Sequence, residues 1–249
     1  WLLSLREQDK SLPVFWLSAA VTGAVAFLLM RQPDFGSTII FGCVWLAMLA
    51  LAGVSMRVLL GLGVAGLMGV ILAYFFYDVA TARIDGFLFG EGDNFQVENA
   101  MRTLTAGGMF GMGPGAGTRK FGLPEPHTDY IFSVIGEEFG LIACLAIACL
   151  YLTIVARVLI KLLDEESTFA ILAAAGLTIQ FGLQALINMS VNVQIAPSKG
   201  MTLPFISYGG SSMLALSIGM GLLLAFTRRN PYLTRSPYVV KWSGESVTA

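Results

Sequence analysis

The chain is short of nearly everything that chemistry in water draws on. Only 12 % of its 249 residues are charged, against about a quarter in an average soluble domain, which excludes an ordinary soluble class. It has one histidine, His127, and three cysteines, Cys43, Cys144 and Cys149. A lone histidine makes no convincing zinc site. An odd number of thiols, all in apolar runs and without ligand spacing, makes neither a disulfide framework nor a metal knuckle. They read as inert thiols facing lipid or neighbouring helices. An excess of charge of one sign is also missing: the formal net charge is −1, which gives no case for nucleic acid as a partner. No secretory signal is visible.

What is present is apolar sequence. Hydrophobic residues make up 56 % of the chain, and the mean hydropathy is +0.75. A helix crossing a bilayer needs about 20 mostly apolar residues. Runs at 12–30, 36–54, 58–77, 130–160, 169–193 and 208–227 meet that need. They predict an all-α fold, a polytopic transmembrane helix bundle of about six spans. The opening WLLSLREQDK reads as the end of an apolar helix running into a charged loop, so an N-terminal portion is expected to be missing. The expected organisation is a membrane domain over 1–230, with a large loop at 78–129, and a polar tail over 231–249.

Lys and Arg set the orientation. Placing alternate connections on opposite sides collects Arg6, Lys10, Arg57, Arg157, Lys161, Arg228, Arg229, Arg235 and Lys241 on one face, nine of the fifteen cations. That face is expected to be cytoplasmic, so loops 78–129 and 194–207 lie together outside. Within the third run, Gly61, Ala65 and Gly69 recur every four residues, a spacing that lets helix backbones approach closely in lipid.

Three constellations carry chemistry. The first is AGGMFGMGPGAG at 106–117. It lacks the strand-to-helix context of a phosphate-binding glycine loop and reads as a close-packed turn at a membrane surface. Arg119 and Lys120 follow it. They either snorkel towards lipid headgroups or clamp an anion.

The second is LPEPHTDYIFSVIGEEFG at 123–140. Charge in a segment that should sit in lipid is expensive and usually has a job or a partner. Asp129 stands where the apolar run begins, and helix capping alone would explain it. Asp129, Ser133 and Glu137 fall at i, i+4 and i+8 and share a helix face. Such a polar stripe must face protein or a water-filled cleft. Glu138 points about 100° away and is expected to pair structurally with another helix. His127 flanks Asp129 without needing to share its face.

The third is PSKGMTLPFISYGGSS at 197–212, expected to form a re-entrant or cleft-lining loop. It brings Lys199 as a third outer cation and several hydroxyls, with Ser207 a candidate substrate contact. Ser211 and Ser212 lack a histidine partner, so a serine nucleophile is weakly supported.

Together the 123–140 stretch, the 197–212 loop and QPDFGST at 32–38 resemble the SEDS family of bacterial shape, elongation, division and sporulation proteins. The resemblance runs in order from about residue 1 to 229. Thr202, where the elongation branch usually has proline, makes the chain more like the division branch. Pro114, where the family more often has leucine, and the segment 84–96 depart from the pattern. The resemblance implies a ten-span fold with both ends cytoplasmic, of which this chain is similar to the last six spans. It implies a peptidoglycan glycosyltransferase that polymerises lipid II at the outer surface of the bacterial cytoplasmic membrane, at the division septum. It works there with a class B penicillin-binding transpeptidase and other divisome proteins. The family's essential aspartate maps onto Asp129.

Transfer from an α-linked pyrophosphate to a β-linked polymer inverts the anomeric centre in one displacement. That needs one base and cations for the phosphates, not the second carboxylate of a glycoside hydrolase. Asp129 is therefore expected to be the general base. Arg119, Lys120 and Lys199 are candidate phosphate partners, with Ser133, Glu137 and Ser207 as further substrate contacts. A divalent cation, Mg or Mn, is expected, with Asp129 a possible ligand; no organic cofactor is implied. The competing expectations are a lipid II flippase or transporter and a non-catalytic divisome scaffold.

Overall fold

In lipid a backbone has no water to satisfy its polar groups, so long apolar runs resolve as helices. The computed structural model describes residues 1–5, 13–89, 94–197 and 200–228. Its elements are α1 (Val14–Arg31), α2 (Phe35–Leu51), α3 (Met56–Phe76), α4 (Asp78–Phe89), α5 (Asn94–Ala106), a 3-10 turn (Arg119–Gly122), α6 (Ile131–Leu162), α7 (Thr168–Asn192) and α8 (Gly210–Thr227). There is no strand among the described residues. Helices α1, α3, α6, α7 and α8 are long and apolar enough to cross a membrane, and α2 is apolar but only 17 residues long. The predicted tail 231–249 and Lys199 lie outside the described residues.

The helix starts follow local chemistry. Asp34 accepts a 2.9 Å bond from the Ser37 amide and caps α2, and the Ser167 hydroxyl accepts from the Ala170 amide at the start of α7. Such caps satisfy amides that have no partner within the helix.

Helix α7 is the hub. It packs against α2, α5, α6 and α8. Its small residues bring neighbours close: a Cβ added to Gly176 would lie 3.0 Å from Met48 Sδ on α2, and one on Gly182 3.0 Å from Val155 on α6. Between α6 and α7 a core of Phe132, Cys144, Tyr151, Phe181, Ala185 and Leu203 is buried. Lipid tails are as apolar as these side chains, so tight packing rather than water exclusion holds them together.

Two expectations need correcting. Gly61, Ala65 and Gly69 do not seat a neighbouring helix within this chain. Helix α3 packs mainly on α2 and α4, has no buried residue, and a Cβ on Gly61 or Gly69 would meet nothing within 4 Å. The connection at 78–129, read as a loop, contains α4, α5 and the 3-10 turn. Helix α5 forms because Val97, Ala100 and Thr103 recur at helical spacing and are buried. Ala100 joins a cluster with Leu123, Tyr130, Val134 and Val191.

Candidate functional site

The site is built around a break in α6. Gly140 sits at φ 81, ψ 178 inside the helix, a conformation open essentially to glycine alone. In a continuous helix the carbonyls of Glu137 and Glu138 would accept from the amides of Leu141 and Ile142. Here the preceding loop takes all four groups. Met112 and Gly113 donate to the Glu137 and Glu138 carbonyls at 2.9 and 3.0 Å, while Leu141 and Ile142 donate to Gly108 and Met109 at 2.9 and 3.3 Å. The loop is thereby spliced into the helix. Bare backbone is required on both sides: a Cβ on Gly107 would lie 2.0 Å from the Gly136 carbonyl oxygen, and one on Gly111 2.2 Å from that of Glu138. The glycine run at 106–117 is therefore close-packed against α6, as its sequence suggested of a close-packed turn.

Glu137 lies within this splice. Its side chain is fully buried. One oxygen accepts from the amides of Thr118 and Arg119 at 2.9 and 2.7 Å, the other from Lys120 at 3.0 Å. The carboxylate thus caps the 3-10 turn. Lys120 in turn forms a salt bridge with Glu138, both side chains being mostly buried. Glu138 pairs with a loop cation rather than with a neighbouring helix. Arg119 is exposed and lines a polar cleft of about 350 Å³ with Asn99, Arg102, Thr103, Thr118 and Gly122.

Asp129 has the opposite surroundings. It does not cap α6: the capping position is Tyr130, with no side-chain bond to the helix. Tyr130, at φ −110 and ψ 19, sets Asp129 one residue outside the first turn. Its main chain is clamped instead. Asn188 and Asn192 of α7 both donate to the Asp129 carbonyl, at 2.9 and 3.1 Å. The Ser207 hydroxyl donates to the Thr128 carbonyl and accepts from the Leu203 amide at 2.7 Å. The Tyr208 amide donates to the His127 carbonyl at 2.9 Å. The loop over 200–208 is therefore laced to the 127–129 turn.

The Asp129 side chain is half-buried, and among the described residues no hydrogen bond or ion pair reaches its carboxylate. Gly200 stands against it: a Cβ there would be 3.2 Å from Asp129 Oδ2. Burial first, and the charge of Glu125 second, hold the Asp129 carboxyl above its ordinary 3.8. A raised carboxyl is a better proton acceptor when ionised.

The candidate residues thus fall into groups. Asp129 presents a carboxylate that no described residue bonds. Ser133 is buried, its hydroxyl and amide bonded to Asn192 Oδ1 at 2.7 and 3.1 Å. Ser133, Glu137 and Ser207 have their polar atoms taken up within the chain. The stripe expected from i, i+4, i+8 spacing faces protein, not an open cleft. His127 is exposed. Sequence reasoning missed Asn188, Asn192 and Gln184, the last bonded to Thr202 through its carbonyl and hydroxyl at 3.0 and 3.2 Å. The signal was there: amides at four-residue spacing inside an apolar run.

Among the described residues no three His, Cys, Asp or Glu side chains converge to hold a metal ion. Asp129, with Glu125 nearby, offers two carboxylates at most. Magnesium is commonly held by one or two carboxylates plus substrate phosphates. The donor set therefore suits an ion that arrives with a phosphorylated substrate, and does not suit an all-protein cage.

A family profile described as cell cycle protein, grouping FtsW, RodA and SpoVE, matches residues 4–232. The chain is 40 % identical over 232 residues to the probable peptidoglycan glycosyltransferase FtsW of Caulobacter vibrioides, covering 93 % of this chain and 60 % of that one. It is 39 % identical over 237 residues to the protein of the same description from Legionella pneumophila, covering 91 % and 60 %. Among solved structures it resembles a chain from a peptidoglycan synthase complex that coordinates polymerization and crosslinking, with a TM-score of 0.68, 26 % identity, and 87 % and 63 % coverage. It also resembles a mutant of the rod shape determining protein RodA of Thermus thermophilus, with a TM-score of 0.59, 27 % identity, and 86 % and 56 % coverage. The chain spans about 60 % of the length of the Caulobacter and Legionella relatives.

Proposed function

The chain belongs to the FtsW, RodA and SpoVE family of cell cycle proteins and is a multi-pass membrane protein, and on that premise we propose that, within its full-length protein, it is the part of a peptidoglycan glycosyltransferase that carries the general base, Asp129. The observation that carries this reading is the asymmetry at Asp129. Its carbonyl is fixed by two asparagines, while its carboxylate is free among the described residues and raised above its ordinary value.

The substrate is lipid II. Asp129 accepts the proton of the acceptor sugar hydroxyl as that oxygen attacks the anomeric carbon of the donor. The bond from that carbon to the pyrophosphate breaks with inversion, and the pyrophosphate leaves on its lipid. Arg119, exposed and with a second arginine in its cleft, is a candidate cation for phosphate. Lys120 is already neutralised by Glu138 and contributes less. Lys199 adjoins Gly200, which stands against Asp129, and takes the same role. Ser133, Glu137 and Ser207 position the site rather than touch substrate. A divalent cation, magnesium or manganese, would be held by Asp129 and supply charge neutralisation to the leaving phosphates.

The working form is a complex with a class B penicillin-binding transpeptidase and other divisome proteins, at the septal cytoplasmic membrane. The relatives named FtsW support the division role, and the structural likeness to a synthase complex supports the transpeptidase partner. A transporter reading would draw on the break in α6, since half-helix ends often bind substrate. The loop occupies all four backbone groups freed there, so no such end is offered.

The test is Asp129→Asn in the full-length protein assembled with its transpeptidase. Base catalysis of this kind contributes roughly 10²–10⁴-fold, and a loss of that size in glycan polymerisation is expected. Polymerisation near wild type overturns the proposal in favour of a scaffold. Lost lipid translocation with intact glycan synthesis overturns it in favour of a flippase.

A further inference from the structure

Helix α7 carries amides at Gln180, Gln184, Asn188 and Asn192, spaced by four and so aligned on one face. Three have partners described above. Asn188 and Asn192 hold the Asp129 carbonyl, and Gln184 holds Thr202, whose hydroxyl meets that of Ser212 at 2.7 Å. Gln180 differs. It lies deep in the span, and among the described residues nothing bonds its amide. A polar side chain at such depth is costly unless it finds a partner or lines a path.

Gln180 lines a cavity of about 170 Å³ between α7 and α8, with Gln184, Phe181, Ser212, Gly219 and Leu223 also on its wall. On α8 the lining runs from Ser212 to Leu223, eleven residues or about 16 Å at 1.5 Å per residue. That is roughly half of a ~30 Å hydrocarbon core. The cavity is thus a groove parallel to the spans, polar at the Asp129 end and apolar below. Gly219 widens it: an added Cβ there would touch only Leu177, at 3.8 Å.

We propose that this groove seats the polyisoprenyl chain of the lipid-linked substrate, fed from the Asp129 site past Gln184 and Ser212. The argument is continuity. Gln184 joins the groove to the loop over 200–203, and that loop abuts the Asp129 carboxylate. A lipid diphosphate reacting at Asp129 needs an apolar exit into the bilayer, and the outer end of this groove is walled by Gln184 and Ser212, both bonded to Thr202 of that loop. The notch at Gly219 accommodates a methyl-branched chain, which is thicker than an unbranched acyl chain. The proposal rests on the transferase reading above.

The experiment uses the full-length protein with its transpeptidase in nanodiscs and two sugar diphosphate substrates, one with a long and one with a two-unit isoprenyl chain. Gly219→Phe is expected to lower the ratio of kcat/KM for the long over the short substrate about tenfold, the scale on which a pocket discriminates small changes in fit. Gly221→Phe, whose added Cβ meets nothing within 4 Å, should leave that ratio unchanged. An unchanged ratio in Gly219→Phe overturns the proposal. A second measurement needs neither turnover nor a variant: a diazirine-bearing polyprenyl diphosphate should crosslink to peptides of α7 and α8. Competition by unlabelled polyprenyl diphosphate but not by phospholipid supports the seat, and equal displacement by phospholipid overturns it. Failure of the wild type to polymerise either substrate removes the transferase reading and leaves the crosslink to decide the seat.

Discussion

Asp129 and Glu137 stand eight residues apart, and helical spacing places them on one face, yet their surroundings are inverse. At Asp129 the protein grips the backbone, and among the described residues nothing bonds the carboxylate. At Glu137 it buries the carboxylate completely and spends it on three amides. The difference teaches that a carboxylate in a membrane segment is not evidence of chemistry by itself. What separates a structural acid from a reactive one is which atoms are already satisfied.

The contrast can be broken in order of effect. Asp129→Asn should remove roughly 10²–10⁴-fold of polymerisation while leaving thermal unfolding of the purified protein near wild type, since its clamp is made through the carbonyl. A large stability loss would mean that the carboxylate is structural after all. Glu137→Ala should do the reverse. It leaves three part-buried amides without their acceptor, so the unfolding midpoint should fall and the amides of Thr118, Arg119 and Lys120 should lose hydrogen-exchange protection. Unaltered exchange there would dissolve the distinction. Gly140→Ala forces a side chain into a positive-φ conformation and to 2.4 Å from the Met109 carbonyl oxygen. The conformational strain alone costs about 1–3 kcal/mol. The loop should undock, read as new protease sensitivity between 107 and 117.

The smallest effect is on pH. Asp129 must be ionised to act as a base. Its carboxyl is raised in the folded protein, so the acid limb of the rate profile should lie above the ordinary 3.8, activity falling as pH drops through it. Glu125→Gln removes the lesser of the two causes and should move that limb downward, by less than burial contributes. A limb moving upward would refute the assignment.

Much of the fold could be read from the chain because apolar length is a local property. All six apolar runs appear as helices, though α2 is shorter than its run. Helix α5 escaped because its apolar residues are sparse and its buried positions include Thr103. The position of Asp129 was legible as a motif, whereas its freedom was not. That depends on Asn188 and Asn192 fifty-nine and sixty-three residues on, and capping explained an isolated aspartate equally well. The splice was beyond sequence for the same reason. Glycines at 107, 111 and 140 are visible, but the register between two distant backbones is set by tertiary packing.

That splice also dictates an order of construction. A chain made from its N-terminus presents residues 106–113 before 137–142 exist. Helix α6 cannot finish its hydrogen bonding alone, because the break at Gly140 leaves two donors and two acceptors of its own backbone for the loop to satisfy. The turn that completes it has to be waiting when it arrives. A chain in which that turn is late or misshapen would stall with the half of α6 that follows Asp129 uncoupled from the rest of the span.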